Sequence, residues 1–163
     1  MAAWSADPRY TSLVASRGAE LMKVALLVTG NRQDAEDAVQ DAVIAVSAAW
    51  PRVTERGAYK YLRTAVVRRA LENRRPASVD IALFDSPIED DRFLRLERDG
   101  EFLALLHALP PQQRAVLVLK YYADLEDRAI ARILGCGVAN VRSQASRALA
   151  RLRAEMAGTA AQA

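Results

Sequence analysis

The residues whose types and spacing suit chemistry gather near the C-terminal end, between Val138 and Met156. At about 100° per residue, Val138, Val141, Ala145, Ala148, Leu149 and Leu152 make one apolar stripe. The opposite side carries Ala139, Asn140, Ser143, Ser146, Arg147 and Ala150, flanked by Arg142 and Arg153 on one edge and by Gln144 and Arg151 on the other. Small side chains let a helix approach base edges. Asn and Gln pair bidentately with adenine, and Arg pairs with guanine or phosphate. No acid occurs between Arg128 and Glu155, whereas a merely solvated helix intersperses Glu with Arg. The chemistry is that of reading DNA.

Two further sets stand apart. Residues 57–75 carry Lys60, Arg63, Arg68, Arg69, Arg74 and Arg75 against Glu72 alone, a net +5 suited to phosphates. Asp34, Asp37 and Asp41 are spaced three and four apart, so on a helix they share one side as an acidic stripe for a basic partner. Asp34, Glu36 and Asp37 also fall in a first turn, where the helix dipole favours carboxylates, but Asp41 lies beyond its reach.

Other residues argue against catalysis. His107 is the single histidine and has no carboxylate or thiol at useful spacing, so it reads as a partly buried structural residue. Cys136, the single cysteine, excludes a disulfide framework or a Cys-rich zinc site and reads as a packing residue in a turn. Glu89, Asp90 and Asp91 are consecutive and point to different sides, which suits solvation better than a metal-dependent nuclease. No catalytic residue, metal or cofactor is expected.

These side chains must be positioned by helices. The 163 residues are 52% apolar and 26% charged, with few Gly and Pro and much Ala, Leu and Arg, which favours one or two small all-α domains. Tyr10, Leu13, Val14, Leu21, Val24 and Val28 mark a first helix stopping near Gly30. Asn31 with Asp34 resembles a helix start, and Ala35, Ala38, Val39, Ala42, Val43, Val46 and Trp50 form the core face of a second helix that Pro51 ends. A loop over 51–57 precedes a third helix over 58–75, with Tyr59, Leu62, Val66 and Ala70 on its stripe. The stretch PASVDIALFDSPIEDD has breakers and acids without periodicity and reads as a flexible acidic linker, placed over 76–100 between domains at 1–75 and 101–163. Helix resumes around Phe93 to Leu109, with Gly100 weakening its continuity. Helices over 112–123, 126–134 and 138–156 complete the chain, the last two joined by Gly135-Cys136-Gly137 in the form of a helix-turn-helix. The N-terminal MAAWSADPRY has no basic segment leading into an apolar core, and no apolar run approaches membrane-spanning length, so a cytoplasmic protein without membrane insertion is expected.

With these residues assembled, the chain resembles the extracytoplasmic-function branch of bacterial RNA polymerase sigma factors. The resemblance rests on LLVTGNRQDAEDAVQDAVIAVSAAWPRV with AYKYLRTAVVRRALENRR, similar to the family's domain two, and on LPPQQRAVLVLKYYADLEDRAIARILGCGVANVRSQASRALARLR, similar to domain four. It implies a sigma factor that binds core RNA polymerase and promoter DNA, with an anti-sigma factor as a further partner. Asp34, Asp37, Gln40 and Asp41 would dock on the polymerase. Arg52, Thr54, Lys60, Tyr61, Arg63, Arg68, Arg74 and Arg75 would engage and melt the minus-ten element. Asn140, Arg142, Ser143, Gln144, Ser146, Arg147 and Arg151 would read the minus-thirty-five element. The chain departs from the family pattern at Gly137, where a Ser cap is usual, at Gln144 and at Arg68, which puts promoter preference in doubt. An autonomous helix-turn-helix regulator and a sigma-like interaction adaptor are the alternatives that polymerase binding and promoter-specific transcription discriminate.

Overall fold

The computed structural model describes residues 7–53, 55–72 and 100–162, and among them every regular element is helical. The chain divides into two compact units, Met1–Arg75 and Pro76–Ala163. Of the linker expected over 76–100, only Gly100 is described, as a helical residue; residues 76–99, with Glu89, Asp90 and Asp91, lie outside the described residues.

The first unit is three mutually packed helices: α1 (Pro8–Thr29), α2 (Arg32–Ala49) and α3 (Glu55–Glu72). Each boundary has a local cause. Asp7 caps α1 by accepting the Arg9 amide at 2.9 Å, and Pro8 occupies the first turn, where its missing N–H costs nothing. Gly30 ends α1 in the left-handed conformation, φ 68°, and donates its amide to Leu26 O at 2.8 Å. Asn31 Oδ1 accepts from the Asp34 amide at 3.1 Å and starts α2. A 3-10 turn, Trp50–Arg52, follows α2, where Pro51 prevents continuation.

Ala35, Ala38 and Ala42 are fully buried, and their small side chains let α2 pack close to its neighbours. Leu21, Val24, Leu27, Val28, Val46, Leu62, Val66 and Val67 fill the remainder of the core. The expected stripes hold except at their edges, where Leu13, Val14, Val39, Val43 and Tyr59 are half-buried. The ends of α1 and α2 are fastened by an aromatic pair. The Tyr10 and Trp50 rings lie 4.8 Å apart, Tyr10 donates its hydroxyl to Val43 O, and Trp50 Nε1 donates to Asp7 Oδ2 at 2.7 Å. The third helix starts three residues before the expected 58, so Arg56 and Gly57 belong to its first turn rather than to a loop. A first-turn glycine disturbs a helix little.

The second unit contains α4 (Gly100–Ala108), α5 (Pro111–Leu117), α6 (Asp127–Leu134) and α7 (Val138–Ala161), with α4, α5 and α6 each packed on α7. The helix expected over 112–123 is α-helical only to Leu117 and then widens into a π-helical turn, Val118–Tyr122. Periodicity could not show this, because residues 114–119 are buried without interruption and present no single stripe. Arg114, 6% exposed, donates Nη1 to His107 O at 2.9 Å and so places a cation on the last turn of α4. His107 is itself buried.

Candidate nucleic-acid interface

The turn between α6 and α7 is set by two glycines used differently. Gly135 ends α6 with φ 67° and an amide bonded to Ala131 O, a conformation that side chains resist. Gly137 is the cap of α7, its carbonyl accepting the Asn140 and Val141 amides at 3.1 and 3.2 Å. Cys136, half-buried between them, donates its amide to Ala131 O at 3.0 Å. The result is a short helix, a tight turn and a long second helix that exposes Ala139 and Asn140 in its first turn.

Along α7 the division into faces is as the spacing predicts. Val141, Ala145, Ala148 and Leu152 are buried, whereas Ala139, Asn140, Ser146, Arg147, Ala150, Arg151 and Arg153 are exposed. Ser143 and Gln144 are half-buried. Asn140, Ser143 and Arg147, three and four apart, share one face.

Arg142 is different. Its Nε donates to Asp127 Oδ2 at 3.1 Å, and Asp127 Oδ1 accepts from Lys120 Nζ at 3.0 Å. The Lys120 hydrogen bond and then that from Arg142 hold the Asp127 carboxyl below its ordinary pKa. Counting acids along α7 alone missed this partner, fifteen residues upstream on α6. Arg128 and Arg132 were also passed over; they line a shallow groove with Gly135, Cys136 and Gly137.

In the first unit, α3 presents Lys60, Tyr61, Thr64 and Arg68 within about 100° of one another. Lys60, Tyr61 and Arg68 are exposed, Tyr61 by 50%. Arg63 is half-buried, its guanidinium 5.3 Å from the Tyr59 ring centroid, while Arg17 of α1 lies 4.3 Å from the same ring. Burial, with Glu20 second, raises the Tyr59 hydroxyl to about 12, which suits the packing role expected for it. Arg52 is exposed. Thr54, Arg74 and Arg75 lie outside the described residues.

The acidic stripe on α2 needs correction. Asp34 is only 2% exposed, so it cannot belong to a surface stripe. It occupies the first turn beside the α1–α2 corner, where Asn31 caps its amide and unpaired helix N–H groups favour a carboxylate. Asp41 and Gln40 are exposed and Asp37 half-buried. Ile44, 53% exposed and one turn on, is an apolar member of this face that the charge pattern did not reveal.

Among the described residues no group of three or more His, Cys, Asp or Glu is placed to hold a metal, and no helix is long and apolar enough to cross a membrane.

Residues 13–78 match the family described as Sigma-70 region 2, and residues 99–152 match Sigma-70, region 4. The ECF RNA polymerase sigma factor SigM of Mycobacterium tuberculosis is 30% identical over 169 residues, covering 93% of this chain and 80% of the relative. The RNA polymerase sigma-E factor of Streptomyces coelicolor is 28% identical over 152 residues, covering 90% and 85%. Among solved structures, CnrH in complex with the cytosolic domain of CnrY aligns with a TM-score of 0.67 at 23% identity, over 95% of this chain and 92% of that one. The sigma factor RpoE in complex with the anti-sigma factor NepR from Bartonella quintana aligns with a TM-score of 0.58 at 18% identity, over 88% and 94%.

Proposed function

From the premise that this chain belongs to the extracytoplasmic-function family of RNA polymerase sigma factors, we propose how its residues divide that role. A sigma factor binds core RNA polymerase and promoter DNA and directs where transcription starts, and this protein does so. Sigma factors are non-enzymatic initiation factors; no residue here is assigned a catalytic role. The site of action is the cytoplasm, where the polymerase is. An anti-sigma factor is a further partner, as named for the solved RpoE complex.

Asn140, Arg142, Ser143, Gln144, Ser146, Arg147 and Arg151 on α7 read the minus-thirty-five element in the major groove. The observation that carries this is the exposed face of α7, amide, hydroxyl and Arg side chains with no acid of its own helix before Glu155, presented behind the two-glycine turn. Lys60, Tyr61 and Arg68 on α3 track the separated strand at the minus-ten element, with Tyr61 exposed enough to stack on a base. Arg52, Thr54, Arg63, Arg74 and Arg75 belong to the same group, Arg63 with its guanidinium against Tyr59. Asp37, Gln40 and Asp41, joined by Ile44, dock on the polymerase, while Asp34 supports the helix from within.

One helix-turn-helix with about five cationic contacts binds DNA weakly by itself. Gel shifts with and without core enzyme test the reading. Specific binding is expected only in the holoenzyme, and tight specific binding by the free chain would overturn it.

A further inference from the structure

We propose that Asp127 is a positioning residue for promoter reading: it holds Arg142 by the Nε edge so that the guanidinium meets DNA with its two terminal amino groups. This rests on the assignment of α7 as the reading helix. Arg142 lies one turn from Ala139 and Ser146, both on the exposed side of α7, and its side chain is 71% exposed. A guanidinium engaged through Nε keeps its terminal fork for a bidentate partner, and guanine O6 and N7 are the base atoms that fit that fork.

The carboxylate is itself fixed. Lys120, from the π-helical turn, grips Oδ1 at 3.0 Å, and only 20% of the Asp127 side chain is exposed, so it is not a mobile surface acid. Its place in the first turn of α6 adds the favourable end of that helix dipole. Lys120 also offsets the negative charge that Asp127 would otherwise present to an approaching phosphate. The unit Lys120–Asp127–Arg142 therefore carries net +1, with an orientation that an unsupported Arg must acquire on binding.

The test uses holoenzyme reconstituted with core polymerase and two duplexes: one selected by the wild-type holoenzyme from a pool randomised across the upstream element, the other unselected. Asp127→Asn keeps the shape but weakens the clamp; it is expected to lower the selected-to-unselected affinity ratio by about tenfold. Arg142→Lys, which keeps the charge and loses the fork, is expected to lower it equally with the salt dependence unchanged. Combining Asp127→Asn with Arg142→Lys should add nothing, whereas additive losses would overturn the proposal. So would an Asp127→Asn protein that binds both duplexes more tightly with a steeper salt dependence, for Asp127 would then only screen phosphate. Arg147→Ala separates the two levels of inference. If it leaves the ratio intact, α7 is not the reading helix; if it lowers the ratio while Asp127→Asn does not, only the positioning role fails.

Discussion

Placing Ser at Gly137 should stabilise the second unit, and placing it at Gly135 should do the reverse, although the two glycines are separated by a single residue. At Gly137 an added Cβ meets nothing within 4 Å and φ is not in the left-handed region, so a side chain is tolerated. The carbonyl there already accepts the first amides of α7, which leaves a Ser hydroxyl placed to accept from Ala139 or Asn140. A Ser cap improves on Gly by a few tenths of a kcal/mol, and losing glycine's freedom in the unfolded chain adds about 0.4–1 kcal/mol. About 1 kcal/mol in a unit of this size raises its melting temperature by about 4–8 °C. Gly135 also has open space around it, but its φ of 67° would cost a serine about 1–2 kcal/mol, an effect of similar size and opposite sign. Differential scanning calorimetry of the full chain and both variants measures the pair. Equal shifts, or a fall for Gly137→Ser, would refute the account of the turn, because space alone does not distinguish the positions.

Asp41→Arg should weaken core polymerase binding while leaving the melting temperature within the scatter expected of a surface change, whereas Asp34→Arg should destabilise the first unit; surface plasmon resonance and circular dichroism on both variants decide. Arg147→Ala should cost about 1–3 kcal/mol on the preferred promoter, and pre-melting the DNA should not restore it, while Arg68→Ala should be rescued by pre-melting, as permanganate footprinting would report. Bonds from Arg9 and then Trp50 depress Asp7 to about 2, against about 3.9 in an unfolded chain, so its stabilisation is complete above about pH 4 and is lost as pH falls toward 2. In a Trp4→Phe background, Trp50 fluorescence should therefore hold from neutral pH to about 4 and change below it, and a change centred above pH 5 would contradict the assignment.

The helix ends were legible because their causes are local. Gly30, Asn31, Pro51, Gly135 and Gly137 each act within four residues of the boundary they set, and the apolar stripes of α2 and α7 needed no more than the helical period. The π-helical turn was not legible, since an unbroken buried run over 114–119 has no face from which a period can be read. The candidate interfaces were incomplete in one consistent way: a pattern along one helix shows what shares a side, not what another element lays against it. Asp34 fits the spacing of a surface stripe, yet the α1–α2 corner buries it. Arg63 fits a phosphate-tracking helix, yet Tyr59 draws in its guanidinium. The absence of acids between Arg128 and Glu155 suggested an uncompensated basic face, yet Asp127 reaches it from the preceding helix. For a helix-turn-helix, then, the charge offered to DNA has to be counted over both helices and the turn before them. Counted so, the acid one residue before the acid-free run is what distinguishes Arg142 from Arg147, and it makes Arg142 the cation whose removal should cost selectivity more than salt-dependent affinity.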